Sequence, residues 1–177
     1  MTAAPRRPEG VILERASVLP PPAVQADARG VVALRQPTLR SALERLVREL
    51  LVDFQREDID AIAGLLTIDA TTLDGNPRGT RTFLLDQWRA RLRTFDYSKV
   101  SGVELADFDR MQVFAEGELE PAGAVARPAE MRAGDLLVRV PIRTPRVGSE
   151  QLFPDEFVLL VRDEEGELKI AGVREKE

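Results

Sequence analysis

The chain has 177 residues, of which 44% are hydrophobic and 31% are charged, and this composition is typical of one globular domain with its own core. The formal net charge of −5 argues against nucleic acid as the main partner, because phosphate binding depends on clustered Lys and Arg. The chain contains no cysteine and no histidine, which excludes thiolate nucleophiles, Cys-ligated metals and Ser–His triads. Acid–base chemistry would therefore depend on carboxylates, tyrosine or lysine.

Residues 1–36 differ from the rest of the chain, since they hold two proline-rich stretches, PRRPEG and LPPPAV, and no sustained hydrophobic period. They are predicted to form an N-terminal extension or linker, and residues 37–177 are predicted to form the folded domain. No apolar region of the signal-peptide type follows Arg6 and Arg7. No run approaches the roughly 20 apolar residues that span a bilayer. We therefore expect a cytoplasmic protein without a membrane span. The alternative is an exported or lipid-anchored protein whose leader is absent from this sequence.

Three amphipathic helices are predicted from apolar residues spaced by three and four. The first covers residues 38–55, and a capping box at Ser41-x-x-Glu44 offers an alternative start. The second is short, and Asp58 is its predicted N-cap. The third covers residues 80–95. The inward side chains of these helices include Leu50, Phe54 and Trp88.

The remaining elements are predicted to be strands. Residues 69–74 carry β-branched threonines and end at Gly75-Asn76-Pro77, which predicts a short strand and a turn before the third helix. After Tyr97 the hydrophobic period changes from 3.6 to 2. Strands are predicted at 111–118, 135–144, 153–162 and 167–174, with a turn at 163–166 and loops at 121–132 and 145–154. Helices followed by an antiparallel sheet are typical of the α+β class.

Four segments, EDIDAIAGLL, DATTLDG, RGTRTFLLDQW and GELKIAGVRE, follow one another in an order that resembles the NTF2-like superfamily. That superfamily includes the SnoaL-like polyketide cyclases and the steroid Δ5-isomerases, and the resemblance covers residues 38–175. It implies three N-terminal helices packed on a strongly curved, mainly antiparallel sheet that encloses a conical cavity. The same scaffold hosts many activities and many non-enzymes, so the resemblance implies a pocket but no particular reaction.

The leading hypothesis is a domain that binds a small apolar molecule in this cavity, with no cofactor and no metal. Candidate contacts are Leu50, Phe54 and Trp88, together with Tyr97 and Arg139. Each has an alternative structural role. Trp88 is more often a core residue, Tyr97 more often bonds solvent at a helix end, and Arg139 is favoured to pair with Glu116 and Glu118 across the sheet.

An enzyme of the SnoaL or isomerase type is the alternative hypothesis. Resemblance to the steroid-isomerase branch assigns the general base to Asp74, and a hydrophobic cavity would raise the pKa of this carboxyl. The turn at Gly75-Asn76 favours a different role for Asp74, as a side chain that caps its own turn. The oxyanion-stabilising tyrosine of that branch corresponds to Leu50, which cannot donate a hydrogen bond.

A homodimeric interaction module is the third hypothesis. The outer face of the sheet often forms a homodimer in the NTF2-like superfamily. In this sequence, Val158 and Leu160 are predicted to supply apolar area on that face.

Overall fold

The computed structural model describes residues 37–119 and 125–177. The predicted extension 1–36 and residues 121–124 of the predicted loop 121–132 lie outside this range. The helices and strands are α1 (Pro37–Gln55), α2 (Ile59–Gly64), β1 (Leu66–Thr72), α3 (Arg81–Thr94), β2 (Gln112–Ala115), β3 (Leu136–Pro141), β4 (Arg146–Val147), β5 (Glu150–Gln151), β6 (Glu156–Glu164) and β7 (Glu167–Lys176). Short 3-10 helices lie at Tyr97–Val100, Phe108–Arg110 and Glu116–Glu118.

Helix α1 begins at Pro37, one residue before the predicted start at Thr38, and proline is well tolerated in the first turn of a helix. The alternative start at Ser41 is wrong, because Ser41 and Glu44 lie inside the helix. Glu44 instead accepts a 2.9 Å hydrogen bond from Arg40, one turn earlier. The predicted apolar stripe is buried in the core and includes Leu43, Leu46, Val47, Leu50 and Phe54.

Helices α2 and α3 begin where the sequence predicts. The Asp58 side chain accepts a hydrogen bond from the backbone N–H of Ala61 at 2.9 Å, so its predicted role as N-cap is confirmed. The Thr80 hydroxyl caps α3 by accepting from the backbone N–H of Phe83 at 3.3 Å. Both caps satisfy backbone donors that have no partner inside a first helical turn.

Strand β1 differs most from the prediction, since it starts at Leu66 instead of Asp69. Leu66 pairs with Ile170 of β7. The register shifts between Leu66 and Thr71, where a bulge interrupts the ladder. The parallel partner of β1 lies about 100 residues away in the chain, so the sequence near residues 66–68 does not indicate this pairing.

The main sheet has the strand order β1-β7-β6-β3-β2. Strand β1 runs parallel to β7, and the other neighbours are antiparallel. The sheet is therefore mixed, and the predicted α+β class is confirmed. Helices α1 and α2 precede β1 in the chain, whereas α3 follows it.

Residues 145–154 are not simply a loop as predicted, because they contain the two-stranded hairpin β4–β5. The backbone N–H groups of Leu152 and Phe153 both reach the carbonyl oxygen of Pro145, at 2.9 and 3.1 Å. Strand β6 consequently starts at Glu156 and not at Phe153 as predicted. This compact connection places Gln151 and Phe153 beside the end of β7.

The predicted hairpin between the last two strands is confirmed, with a tighter turn. Strand β6 continues to Glu164 and β7 starts at Glu167, so two residues form the turn. Glu165 and Gly166 both have positive φ, 56° and 90°, as a two-residue type I′ hairpin turn requires. The Asp163 carboxylate supports the turn by accepting from the backbone N–H of Gly166 at 2.7 Å.

The two faces of the sheet carry separate apolar clusters. The helices pack on one face in the larger cluster, which includes Val138 and Leu159. The opposite face carries the smaller cluster of Leu73, Phe114, Leu119, Met131, Leu137, Val158, Leu160 and Ala171. Val158 and Leu160 are both 0% exposed. The prediction that these two side chains offer apolar area to a second copy is therefore wrong, because the chain itself covers them.

Candidate functional site

A groove of about 650 Å³ lies between α3, the C-terminal end of β7 and the connection that follows β5. It is open to solvent along one side, and its size falls within the range of small-molecule sites. Its floor is formed by hydrophobic side chains, Leu84, Trp88, Phe95, Phe153, Pro154 and Val173. Phe95 is half-buried and the other five are buried, so Phe95 offers the most accessible apolar surface of this floor.

Trp88 lines this groove and also belongs to the core, with 1% of its surface exposed. Its ring meets Phe54 edge to face, with the centroids 5.2 Å apart. Phe54 in turn packs against Tyr97 and Phe153, at 5.7 and 5.8 Å between centroids. Leu50, Phe54 and Tyr97 lie in the core and are not among the residues that line the groove. These aromatic contacts hold the floor of the groove in place.

Glu175 of β7 is the polar centre of the floor. One of its carboxylate oxygens accepts from the indole Nε1–H of Trp88 at 2.9 Å. Arg91 of α3 donates to both oxygens, at 2.8 and 2.6 Å, and also donates to the carbonyl of Leu152 at 2.9 Å. These bonds join α3, β7 and the β5–β6 connection around the groove. The sequence carries no signal for this network, because Arg91 and Glu175 are 84 residues apart.

Tyr97 is fully buried, so its predicted contact with solvent is wrong. Its hydroxyl donates to the carbonyl of Leu152 at 2.7 Å, beside the bond that Arg91 makes to the same oxygen. Burial raises the pKa of this phenol. The Tyr97 hydroxyl therefore helps to fix the Leu152 backbone in the connection that borders the groove.

Asp74 stands at the rim of the groove, where it is exposed to solvent. Its Oδ1 atom accepts from the Thr72 hydroxyl at 2.7 Å and from the backbone N–H of Asn76 at 2.9 Å. The bond from Thr72, followed by the bond from Asn76, lowers the pKa of the Asp74 carboxyl. The raised pKa expected for a general base is wrong, and the geometry is that of an aspartate that caps its own turn.

Arg139 does not line the groove. It lies half-buried on β3 and donates to both carboxylate oxygens of Glu156, at 3.0 and 2.8 Å. A third bond of 3.2 Å reaches the side-chain oxygen of Gln112. Pairing across the sheet was favoured for this residue, but its acidic partner is Glu156 and not Glu116 or Glu118.

Two residues that line the groove have a buried nitrogen without a hydrogen-bond partner. They are Gln151, through its Nε2 atom, and Arg174, through its Nε atom. No hydrogen bond or ion pair of the Arg174 guanidinium is found in the part of the chain that the structure describes. Sequence reasoning singled out neither residue.

No protein-family model matches this sequence, and no curated protein matches it either. The function is therefore inferred from the geometry of the groove.

Among residues 37–119 and 125–177, no group of three or more carboxylates is placed to hold a metal ion. Asp107 and Asp109 both contact Arg143, at 3.1 and 3.2 Å. None of the helices in these ranges is long and apolar enough to cross a membrane.

Proposed function

We propose that this chain is a ligand-binding domain that holds a small, mainly apolar molecule in the groove between α3 and β7. The observation that carries the proposal is the groove itself, a site of about 650 Å³ with Trp88, Phe95 and Phe153 on its floor. A molecule lying there would cover apolar surface, at about 25 cal/mol for each Å² removed from water. The few polar groups around the floor would set its orientation.

The proposal includes an NTF2-like scaffold with a strongly curved sheet. Its support is the order of the elements, in which α1, α2, β1 and α3 precede strands that pair antiparallel. The groove beside α3 and the last strand is the pocket that the proposal assigns to the ligand.

Binding is favoured over catalysis by the state of the carboxylates at the groove. Asp74 caps a turn and has a lowered pKa, whereas a general base that works near neutral pH needs a raised one. Glu175 already accepts hydrogen bonds from Trp88 and Arg91. Glu177 is exposed to solvent. None of the three has the environment expected of a proton acceptor in an apolar pocket.

A titration with the neutral fluorophore N-phenyl-1-naphthylamine tests the proposal. Its emission rises when it enters an apolar site, and its affinity can be compared between matched variants. Ala90→Phe places a ring at an exposed position that lines the groove. Arg93→Phe places the same ring at an exposed α3 position that does not line it.

We expect saturable binding by the wild type and by Arg93→Phe, and binding at least about tenfold weaker by Ala90→Phe, equivalent to about 1.4 kcal/mol. Equal affinity for all three proteins would show that the probe binds elsewhere. The absence of saturable binding by the wild type would refute the proposed function. Far-UV circular dichroism of each variant checks that the fold is retained.

A further inference from the structure

The two faces of β7 carry opposite charges near its C-terminal end. Arg174 pairs in register with Val158 of the apolar cluster opposite the helices, so its side chain lies on that outer face of the sheet. Lys176 lies on the same outer face, where it forms an ion pair of 3.1 Å with Glu156. Side chains alternate between the faces of a strand, so Glu175 faces the groove. The positive charges at this end of β7 therefore lie away from the groove.

The acidic side chains on the groove face are only partly compensated. Glu175 is paired with Arg91 through both carboxylate oxygens. Asp74 and Glu177 also line the groove, and no ion pair of either carboxylate is found in the part of the chain that the structure describes. Both are exposed, so a ligand in the groove can reach their charges. The hydrogen bond from Thr72 lowers the pKa of Asp74, which therefore stays ionised at neutral pH.

Helix α3 adds to the negative potential of the groove. The groove follows α3 to its C-terminal end, where Ala90, Arg91 and the C-cap residue Phe95 line it. The C-terminus of a helix carries a partial negative charge, which favours cations nearby. Phe95 is half-buried and supplies accessible apolar surface at this end. The groove is therefore complementary to a molecule that is both apolar and positively charged.

We propose that the ligand of this groove is an amphiphilic organic cation, whose apolar body covers the surface around Phe95 and whose positive charge is balanced by Asp74 and Glu177. This inference rests on the proposed function and specifies the class of its ligand. Apolar contact supplies most of the affinity, because ion pairs with exposed carboxylates contribute little. The two carboxylates select a cation over neutral and anionic molecules that have the same apolar body.

Three ten-carbon molecules with different head groups test this selection: decylammonium, 1-decanol and decanoate. A primary amine is protonated at pH 7, as the amine of lysine is. Each molecule is used below its solubility and micellar limits to displace N-phenyl-1-naphthylamine from the protein. The measurements are made at low ionic strength, where exposed charges are least screened.

Two double variants separate the groove from the overall charge of the chain. Asp74→Asn with Glu177→Gln removes both groove charges and changes the side-chain shapes little. The asparagine keeps an oxygen that can accept from Thr72, so the turn remains capped. Asp60→Asn with Glu165→Gln is the matched control, because it removes the same charge at two exposed positions that do not line the groove.

We expect the wild type and the control to bind decylammonium about three- to tenfold more tightly than 1-decanol, and to bind decanoate more weakly than 1-decanol. The groove variant should lose the preference for the cation and bind 1-decanol within about twofold of the wild type. Sodium chloride at about 0.5 M should reduce the preference of the wild type, because it screens exposed carboxylates.

The outcomes separate this inference from the proposed function. Equal binding of decylammonium and 1-decanol by the wild type would overturn the cation inference and leave a neutral apolar site. Tighter binding of decanoate than of decylammonium would also overturn it. A preference for decylammonium that persists in the groove variant, or that the control loses equally, would assign it to charge outside the groove and overturn the inference. If the wild type does not bind the fluorophore, the inference and the proposed function both fail.

Discussion

Replacing Glu175 by leucine removes the acceptor that fixes the floor of the groove. The indole N–H of Trp88 loses its 2.9 Å hydrogen bond, and the ring around it is only 1% exposed. Leaving a buried donor without a partner costs about 1–3 kcal/mol. The ion pair with Arg91 adds about 0–1 kcal/mol, because its side chains are 25% and 29% exposed. We therefore expect the free energy of unfolding to fall by about 1–4 kcal/mol in Glu175→Leu.

Urea unfolding followed by the fluorescence of Trp88, the only tryptophan in the chain, measures this loss. Glu175→Gln keeps an oxygen that can accept from the indole, so its loss should be about 1 kcal/mol or less. Glu177→Leu is the matched control at an exposed position two residues later, and it should lie within about 0.5 kcal/mol of the wild type. The reasoning is refuted if Glu175→Leu unfolds like the wild type, or if the leucine and glutamine variants lose equal stability.

Three further predictions concern buried charge, close packing and the turn. Asp135→Ala should lower the free energy of unfolding by about 3–5 kcal/mol, since Asp135 is buried and pairs through both oxygens with Arg162. In urea unfolding, the double variant with Arg162→Leu should lose less stability than the two single variants lose together. Additive losses would contradict the pairing. In Gly172→Ala, the new Cβ would lie 2.5 Å from Leu73 Cδ2, so we expect a loss of about 1–3 kcal/mol that shrinks in a Leu73→Ala background. Carbon-detected NMR should give Asp74 a pKa below 3.8, the ordinary value. Because the pKa of Asp74 is lowered in the folded state, its stabilising effect is present above about pH 4 and is lost as the pH falls through that folded-state pKa. A measured pKa above 3.8 would contradict the capping role.

The parts of the fold that the sequence predicted are those with local causes. The Asp58 cap of α2 and the turn between β6 and β7 depend on neighbours within four residues; the cap was found as predicted, and the turn lies within the predicted residues 163–166. The start of β1 at Leu66 was missed because its register depends on Ile170, a partner far along the chain. The hairpin β4–β5 was missed because its strands have two residues each, too few to show a period.

The candidate site was less accessible to sequence reasoning. The turn residues after Asp74 indicated its capping role, and the capping hydrogen bond from Asn76 agrees with that alternative. Glu175 and Gln151 carry no motif, and both line one groove because β5 and β7 pack beside α3. Their place at the groove comes from long-range packing, which has no local signal in the sequence.

The most direct test of the central claim is a measurement of intermolecular nuclear Overhauser effects between bound methyl decanoate and the protein. The indole of Trp88 gives unambiguous signals, because the chain has no second tryptophan. We predict contacts from the alkyl chain to the Trp88 indole and the Phe153 ring, which share the floor of the groove. A saturated complex in which the alkyl chain contacts neither ring, and instead contacts the separate depression near Arg45 and Lys169, would contradict the account.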